Sequence, residues 1–577
     1  MDYREQYDAW CASPAVDAAA KAELMAIADD PHEIEERFYR ELEFGTAGLR
    51  GILGAGTNRM NPYVVRRATQ GLSDYLLSIP GAKERGVCIA YDSRRGSTEF
   101  AKETAATLAA NGIRVYLFST LHAVPQLSFA LQRLHCISGV VITASHNPKQ
   151  YNGYKVYWEY GGQCAPEQAA EIYACIGRVP MFGAKTADFD AAVADGRITM
   201  IGDAEDEAYY AATQGLLLCP DMVREDGHKL KLVYTPLHGT GNVPVTTLLS
   251  RIGVTNVSVV PEQALPDGDF PTVKAPNPVV PNAFALSIAL AERTGATVCL
   301  ATDPDADRLG VAVKTNAGEW VTLTGNQIGA LLLEHILSER KAAGTLPDNG
   351  VVIKSIVSTK LADAIAGAYG AEMVVVPTGF RFIGEKIDEY ARTGEKTFLF
   401  GFEESFGFLA GGLARDKDAI CAAMLLSELA VKNQCRGRTL SDALDALYET
   451  YGYYLERVNS YTLAGKAGME RIAACMAALR EAPPQAFAGV AAESFEDYQA
   501  GRVFHANGTA DELTLPQTDM LRWLLDGGAW LVIRPSGTEP KLKLYIGANA
   551  STRAASEDAL AALFAFTDGL LRSLLGL

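Results

Sequence analysis

GVVITAS (139–145) is a short apolar run, typical of a buried strand, that ends at a serine. TVCLATD (297–303) and TFLFGFEES (397–405) have the same form and end in acidic or hydroxyl residues. Two further strand-like runs precede each of them, with longer helix-like stretches between. The six earlier runs are GVCIAYD (86–92), IRVYLF (113–118), LKLVYTP (230–236), VSVVP (257–261), GVVIKSIVS (350–358) and MVVVPTG (373–379). This alternation predicts three related, layered α/β domains.

A polar loop follows the third strand-like run of each set. The three loops contain ITASHNP, ATDPDAD and GFEESFG. Because sheets of this kind bind ligands at the carboxyl ends of their strands, we expect the three loops to hold equivalent positions in the three domains. They are the first candidates for a functional site.

The rest of the chain has a different texture. The first 40 residues have a helical pattern, and we expect them to pack on the first domain. The last part, which includes WLVIRPSGTEPKLKLYIGAN (530–549), is predicted to be a fourth, smaller α+β domain. The predicted domain boundaries are 1–205, 206–322, 323–440 and 441–577.

Composition restricts the class of function. The 577 residues carry a net charge of −17, from 52 Lys and Arg against 69 Asp and Glu, which argues against nucleic-acid or anionic-membrane binding. None of the ten cysteines forms a C-x-x-C pair, which argues against a zinc ribbon or a redox motif. The amino terminus lacks an apolar signal core, and no long apolar run occurs. We therefore expect a soluble, cytoplasmic protein with reduced thiols.

The first loop presents Ser145 in a turn rich in Asn, Pro and Gly, with His146 and Lys155 close in sequence. His146 is a proton acceptor and Lys155 a source of positive charge, so Ser145 has the surroundings of a nucleophile. The same hexapeptide also fits a capped turn, in which the serine hydroxyl binds its own backbone. The residues of this loop alone leave both interpretations open.

The second loop carries Asp303, Asp305 and Asp307 at alternate positions after an apolar strand. Three uncompensated carboxylates would repel one another, so a cation is their natural partner. An oxygen-only set of ligands suits Mg²⁺. An EF-hand calcium loop fits poorly, because Arg308 and Lys314 occupy the positions of its glycine and its glutamate.

Two later loops have groups that suit a phosphosugar. Glu403 and Ser405 fall on one side of an extended segment, where a carboxylate and a hydroxyl can hold sugar hydroxyls, and Lys417 follows soon after. Arg534 begins RPSGTEPK (534–541), which has a guanidinium, two hydroxyls and a glycine, the groups of a phosphate cradle. No Walker loop occurs, so nucleotide hydrolysis is disfavoured.

Two glycine-containing turns complete the set. FGTAGLRG (44–51) presents Arg50, and PTGFR (377–381) follows a predicted strand. Taken together, GTAGLRG, TASHNP, DPDADR, GFEESFG and RPSGTEPK resemble the α-D-phosphohexomutase superfamily in content and order. VPTGFRF and the late RDKD are most similar to its phosphoglucomutase and phosphopentomutase branch. The resemblance spans the whole chain.

The resemblance implies three α/β/α sandwich domains and a smaller carboxyl-terminal domain around a central cleft. It implies that Ser145 is a phosphoserine that binds Mg²⁺ together with Asp303, Asp305 and Asp307. It implies catalytic roles for Lys155, as general acid and base, and for Arg50 and His146 beside it. The implied substrate contacts are Asn147, Arg308, Thr378, Glu403, Ser405, Lys417, Arg534, Ser536, Gly537 and Thr538.

The reaction that the resemblance implies is the interconversion of glucose 1-phosphate and glucose 6-phosphate, with glucose 1,6-bisphosphate as intermediate and activator. The alternatives are a phosphopentomutase, a sugar-bisphosphate synthase and a non-enzymatic phosphosugar-binding protein. We expect a small phosphosugar as the only class of partner, with no nucleic acid and no membrane. The expected state is a monomer or a dimer.

Overall fold

The structure is a computed structural model that describes residues 2–45, 48–463, 465–536 and 541–577. The described chain forms two compact units. One reaches to Ile328 and also contains Phe380–Leu440, and the other contains Gly329–Gly379 and Ser441–Leu577. Each is described separately below.

Three short helices open the first unit: α1 (Tyr3–Ala12), α2 (Ala18–Ala26) and α3 (Pro31–Phe38). Aspartates at residues 2, 17 and 30 cap their amino termini by accepting backbone N–H groups. Trp10 and Phe38 pack with Tyr63 and Phe182 of the following α/β part. The predicted helical start that packs on the first domain is therefore confirmed.

The first α/β part of this unit has a six-stranded sheet in the order β1-β5-β4-β2-β3-β6. Strands β4, β2, β3 and β6 run parallel, β5 pairs antiparallel with β4, and the edge strand β1 pairs antiparallel with β5. Its elements are β1 (Gly48–Ile52), α4 (Pro62–Leu76), α5 (Ala82–Arg85), β2 (Val87–Tyr91), α6 (Ser97–Ala110), β3 (Val115–Phe118), α7 (Val124–Arg133), β4 (Ser138–Ile142), β5 (Tyr151–Trp158), α8 (Pro166–Arg178), α9 (Phe189–Ala194) and β6 (Ile198–Ile201).

The second α/β part has a five-stranded sheet in the order β11-β10-β9-β7-β8, in which β9, β7 and β8 run parallel. Its elements are α10 (Asp203–Gln214), α11 (Pro220–Asp226), β7 (Leu232–Thr235), α12 (Asn242–Ile252), β8 (Val257–Val259), α13 (Pro261–Ala264), α14 (Ala285–Thr294), β9 (Val298–Thr302), β10 (Leu309–Lys314) and β11 (Trp320–Thr322). Helix α15 (Gly325–Ala342) follows.

The second unit begins within α15 and continues with β12 (Gly350–Ser355), α16 (Leu361–Tyr369) and β13 (Glu372–Val376), of which β12 pairs in parallel with β13. The chain then returns to the first unit. There it forms α17 (Phe380–Thr393), the antiparallel strands β14 (Thr397–Glu403) and β15 (Gly407–Ala410), and the almost wholly buried helix α18 (Ala419–Cys435). All nine strand-like runs of the sequence therefore contain strands, as predicted.

The carboxyl-terminal part of the second unit is an antiparallel eight-stranded sheet in the order β16-β23-β22-β21-β18-β19-β20, with β17 paired to β18. Its elements are α19 (Leu440–Tyr451), β16 (Tyr453–Thr462), α20 (Gly465–Glu481), β17 (Ala486–Phe487), β18 (Val490–Asp497), β19 (Arg502–His505), β20 (Ala510–Glu512), β21 (Leu521–Leu525), β22 (Trp530–Pro535), β23 (Lys541–Ala550) and α21 (Arg553–Leu575). This is the α+β organisation that the sequence predicted.

One face of this sheet packs against the first part of the same unit. Ile356 and Val357, which follow β12, share a core with aromatic and aliphatic residues of the sheet. Those residues are Tyr498, Met520, Trp530, Val532 and Tyr545. The segment around β12 and the carboxyl-terminal sheet therefore share one hydrophobic core.

Two expectations drawn from composition are also tested. All ten cysteines are free thiols, as predicted, and seven of them are buried. Among the described residues, no helix has both the length and the apolar character that a membrane span requires.

Candidate active site

Ser145 lies in the turn that follows β4, in a left-handed backbone conformation with φ of 51°. Its Oγ donates a hydrogen bond to Asp303 Oδ2 at 2.7 Å, and its backbone N–H donates to Thr143 Oγ1 at 2.8 Å. The side chain that hydrogen-bonds to the backbone of this turn is therefore that of Thr143. The capped-turn interpretation of Ser145 is wrong, because its hydroxyl faces the aspartate loop instead of its own backbone.

Asp303, Asp305 and Asp307 leave the end of β9 together and are fully buried. Each offers a carboxylate oxygen within 4.8 Å of the others. Asp305 Oδ1 and Asp307 Oδ1 are buried with no hydrogen-bond partner among the described residues. Buried, unsatisfied carboxylate oxygens are costly unless a cation completes them, so this set of donors fits a divalent metal ion.

The electrostatics of the three carboxyls are unequal. Burial and the charges of Asp305 and Asp307 raise the pKa of Asp303 well above its usual range. Burial also opposes ionisation of Asp305, but the ammonium group of Lys155 lowers the pKa of Asp305 below its usual range. The cluster therefore depends on nearby positive charge to stay ionised.

Two lysines supply that charge. Lys155, on β5, donates from Nζ to Asp305 Oδ2 at 3.0 Å. Lys417 Nζ lies 3.0 Å from Asp307 Oδ2 and 2.8 Å from Asp416 Oδ1. Burial alone would lower the pKa of Lys417, but the carboxylates of Asp307 and Asp416 raise it above its usual value. Both sequence-predicted lysines thus meet at the aspartate loop.

His146 and Arg50 also reach the serine turn. His146 Nδ1 lies 3.2 Å from Ser145 Oγ, and burial together with the charges of Arg308 and Arg50 lowers the pKa of His146 well below its usual value. Arg50 Nη1 donates to Asn147 Oδ1 at 3.1 Å. Arg50 lies within β1, opposite Gly153 of β5, and follows the bridged pair Gly45 and Gly48.

The third loop joins the second through the backbone. Arg308 forms a β-bridge with Gly407, and the N–H of Leu309 donates to the carbonyl of Phe406 at 3.1 Å. Glu403 is the buried last residue of β14, whereas Ser405 lies in the turn between β14 and β15. The extended segment predicted to align these two side chains is interrupted, because the chain reverses direction there.

In the second unit, two of the predicted residues are in contact. Arg534, near the end of β22, donates from Nη1 to Thr378 Oγ1, in the loop after β13. The N–H of Ser536 donates to the carbonyl of Lys541 at 2.7 Å, next to the antiparallel pair β22 and β23. Gly537 and Thr538 lie outside the described residues.

Several residues at the site were not identified from the sequence. Asp92, directly after β2, accepts a hydrogen bond from Thr143 Oγ1 at 2.7 Å. Asp416 accepts from Tyr157 OH at 2.7 Å and from Lys417. One signal for Asp92 was present in the sequence: it ends an apolar run one strand away from the serine loop, at the same edge of a parallel sheet.

Backbone strain marks the three loops that follow β4, β9 and β14. Ser145, Ala306 and Phe406 have positive φ values of 51°, 49° and 68°. Residues with side chains rarely adopt this conformation, and it occurs most often where a tight turn presents functional groups. A left-handed residue with a side chain therefore lies three or four residues after the strand in each of the three loops that the sequence predicted to be equivalent.

Comparison with known proteins agrees with this geometry. Four consecutive family models for phosphoglucomutase/phosphomannomutase match the chain. They describe α/β/α domains I, II and III at residues 41–180, 207–318 and 324–451, and a C-terminal domain at residues 474–562. The chain belongs to the phosphoglucomutase/phosphomannomutase family. It is therefore an intramolecular phosphotransferase of the phosphohexomutase fold, as predicted.

Individual members of the family are similar over most of their length. A phosphoglucomutase of Staphylococcus saprophyticus is 37% identical over 506 residues, which are 87% of this chain and 90% of that protein. Among solved structures, the phosphoglucomutase parafusin from Paramecium has a TM-score of 0.70 and 17% identity, covering 93% of this chain and 97% of its own. A family protein from Burkholderia thailandensis has a TM-score of 0.65 and 20% identity, covering 92% and 97%. The two structural matches concern the fold.

Proposed function

We propose that this phosphohexomutase is a phosphoglucomutase. It would interconvert glucose 1-phosphate and glucose 6-phosphate through a phosphorylated Ser145, with glucose 1,6-bisphosphate as intermediate and activator. One observation carries the proposal: Ser145 Oγ lies 2.7 Å from Asp303 Oδ2, at the edge of a buried cluster of three aspartates. The similarity to a staphylococcal phosphoglucomutase over 87% of the chain supports glucose phosphate as the substrate.

The metal of this site would be Mg²⁺, held by Asp303, Asp305, Asp307 and an oxygen of the phosphorylated Ser145. The oxygen-only donors and the two buried, unsatisfied carboxylate oxygens support a small, hard cation. When bound, Mg²⁺ neutralises charge on the phosphoryl group in transfer. The ten free thiols support a reducing, cytoplasmic compartment.

The transfer step would use residues of the first two loops. A free sugar hydroxyl attacks the phosphorus of phosphoserine, so that the bond from phosphorus to Ser145 Oγ breaks as the bond to the sugar oxygen forms. Lys155 would accept the proton of the attacking hydroxyl. Arg50, Arg308 and His146 would surround the phosphoryl group, and Asn147 would orient Arg50, to which it is hydrogen-bonded.

The other loops would hold the rest of the substrate. Glu403 and Ser405 would bind sugar hydroxyls, and Lys417 would contact a phosphate oxygen. Thr378, Arg534, Ser536, Gly537 and Thr538 would bind the phosphate that is not reacting. The contact between Arg534 and Thr378 supports a shared role for these two residues. After the first transfer the bisphosphate turns around, so that its other phosphate returns to Ser145.

A comparison of substrates tests the proposal. The purified enzyme is assayed with Mg²⁺ and a trace of glucose 1,6-bisphosphate, and kcat/KM is measured for glucose 1-phosphate and for ribose 1-phosphate. The proposal predicts a higher value for the glucose ester. A preference for the ribose ester would identify a phosphopentomutase. Net formation of bisphosphate from a second phosphoryl donor would identify a sugar-bisphosphate synthase. Binding without turnover would identify a phosphosugar-binding protein.

A further inference from the structure

Arg94 is a buried arginine behind the Ser145 turn, outside the set of residues that would touch the substrate. Its side chain is completely inaccessible to solvent. Nη1 donates to the backbone carbonyls of Pro148 and Tyr151, both at 3.0 Å. Nη2 donates to the carbonyls of Ser145 and Asn147. One guanidinium thus binds four carbonyls of the loop that carries the serine.

Asp92 holds this arginine from the other side. Its Oδ2 lies 3.3 Å from Arg94 Nε, and its Oδ1 accepts from the backbone N–H of Arg94 at 2.9 Å. The same carboxylate accepts from Thr143, whose Oγ1 in turn accepts the N–H of Ser145. The aspartate and the arginine therefore hold Ser145 at both its N–H and its carbonyl.

An aromatic ring closes the remaining face. The ring of Phe270 lies 5.0 Å from the guanidinium carbon of Arg94, and Phe270 is itself buried. A cation over an aromatic face is attracted to it, and the attraction grows when water is excluded. The guanidinium thus has a carboxylate, four carbonyls and a ring as partners, and no contact with solvent.

This arrangement explains how Ser145 keeps its backbone conformation. A left-handed residue with a side chain costs about 1–2 kcal/mol, so other bonds must hold it. The two bonds at its N–H and carbonyl fix the residue, and with it the direction of Oγ toward Asp303. Only a planar fork with several N–H groups can serve four acceptors in this way, because an ammonium group has three donors on one atom.

We propose that Arg94, braced by Asp92, is a positioning residue that holds Ser145 Oγ at the aspartate cluster. Arg94 acts on the phosphoryl-transfer step through the loop and does not touch the substrate. The proposal rests on the proposed function, because it takes Ser145 as the group that is phosphorylated. It predicts that loss of the guanidinium fork reduces the rate of transfer much more than it weakens substrate binding.

The test compares Arg94→Lys with Arg95→Lys. Arg95 is the next residue and has the same charge, but its side chain is 65% exposed and pairs with Asp269 at the surface. A misplaced nucleophile costs about a hundredfold in rate, so Arg94→Lys should lower kcat by about that factor. KM should stay within about twofold, because the binding groups are unchanged. Arg95→Lys should resemble the wild type in both constants.

Single-turnover transfer separates positioning from stability. Dephosphorylated enzyme is mixed with saturating glucose 1,6-bisphosphate well below the unfolding temperature, and phosphorylation of Ser145 is followed. We expect the loss of rate in Arg94→Lys to equal its loss of kcat. A loss that only matches the unfolded fraction of the variant would show a merely structural role and would overturn the proposal.

Two further measurements keep the test decisive. If Arg94→Lys does not fold, Phe270→Leu, which removes the ring but keeps an apolar side chain, must lower the single-turnover rate for the proposal to stand.

A crystal structure of Arg94→Lys reports on the loop without any substrate. Ser145 should leave its left-handed conformation, and an unchanged loop would overturn the proposal. An inactive wild type with this expected loop change would contradict only the proposed function.

Discussion

At the scale of single residues, the site is a balance of buried charges. Three aspartates lie beside Lys155 and Lys417, of which Lys155 lies nearest to Asp305 and Lys417 nearest to Asp307. Burial raises the pKa of Asp307, as does the charge of Asp305. Removing one charge leaves its partners buried and uncompensated, so substitutions here should act strongly on metal binding and on the reaction.

Ser145→Ala should abolish both turnover and phosphoprotein formation, because it removes the oxygen that we propose to carry the phosphoryl group. The measurements are a coupled assay of the mutase reaction and intact-mass analysis after incubation with glucose 1,6-bisphosphate. Ser78→Ala is the control, since Ser78 is exposed and its hydroxyl donates to the carbonyl of Tyr75. Activity of Ser145→Ala close to that of the wild type would contradict the central role of Ser145.

Asp305→Asn should weaken metal binding and lower kcat together. Loss of a ligand should exceed the roughly 10–100-fold loss of metal affinity that follows loss of an outer-shell partner. Titration with Mg²⁺ in the assay and calorimetric titration of the resting enzyme measure the two effects. Asp190→Asn, at an exposed aspartate, is the matched control. An unchanged Mg²⁺ profile in Asp305→Asn would remove Asp305 from the ligand set.

At the scale of elements, the buried aspartate that caps the amino terminus of α18 makes the stability of the fold depend on pH. Asp418 precedes the helix, accepts the N–H of Cys421 at 2.8 Å, and accepts the hydroxyl of Tyr209. Burial raises the pKa of Asp418 to about 6, although these hydrogen bonds oppose the shift. Because the folded state favours the protonated form, the contribution of Asp418 to stability is greatest below about pH 4 and is lost as pH rises through about 6.

Asp418→Asn should therefore be more stable than the wild type at pH 7 and about equal to it near pH 4. Asparagine caps helices as well as aspartate does and carries no charge. The shift in pKa corresponds to roughly 3 kcal/mol at neutral pH. Thermal unfolding between pH 4 and pH 7 measures the difference, with Asp188→Asn, at the exposed cap of α9, as the control. A difference that does not change with pH would contradict this account.

The element scale also shows what the sequence could predict. The nine strand-like runs were correct because a buried strand has a continuous apolar pattern that needs no knowledge of its neighbours. The relation of Glu403 to Ser405 was not, because period-two alternation holds only while the strand continues, and the chain turns after Glu403. The sequence also did not show that Arg50 lies in a strand, because its partner strand is about a hundred residues away.

At the scale of the whole molecule, the second unit is assembled from segments far apart in sequence. The residues after β12 share a core with the carboxyl-terminal sheet, where Met520 and Trp530 are buried. Such a core makes the two segments one cooperative unit, because neither can open without exposing apolar surface. A division into consecutive domains, which is all that composition and periodicity can suggest, does not contain this information.

Met520→Ala should loosen both segments together. A buried Met→Ala change costs about 2–5 kcal/mol, and the loss should be felt throughout the shared core. Hydrogen exchange should become faster in β12 as well as in β21, while exchange in β9 of the other unit stays as in the wild type. Met469→Ala, at a side chain that is 62% exposed, is the control. Unchanged exchange in β12 would contradict the shared core.

The residues behind the loops were the hardest part of the site to predict. Arg94 lies in none of the sequence motifs, and Asp416 lies in RDKD, where only Lys417 suggested a role. The Ser145 carbonyl that Arg94 binds and the Tyr157 hydroxyl that Asp416 binds are 51 and 259 residues away along the chain. When a side chain binds backbone carbonyls, the residues that accept those bonds can be of any type, since every residue has a carbonyl. The sequence therefore does not reveal such contacts. The loops that we propose to touch the substrate carry distinctive residues, whereas the groups that hold those loops do not.

Ala306 restricts the conformations of the aspartate loop before a ligand binds. Glycine at this left-handed position would remove about 1–2 kcal/mol of backbone strain from the folded state. It would also lower the stability by about 0.5–1 kcal/mol, because the unfolded chain would gain conformational freedom. The net difference in stability is therefore small. The methyl group of Ala306 reduces the number of backbone conformations that the loop with Asp303, Asp305 and Asp307 can adopt before a ligand binds. The loop therefore loses little conformational entropy on binding.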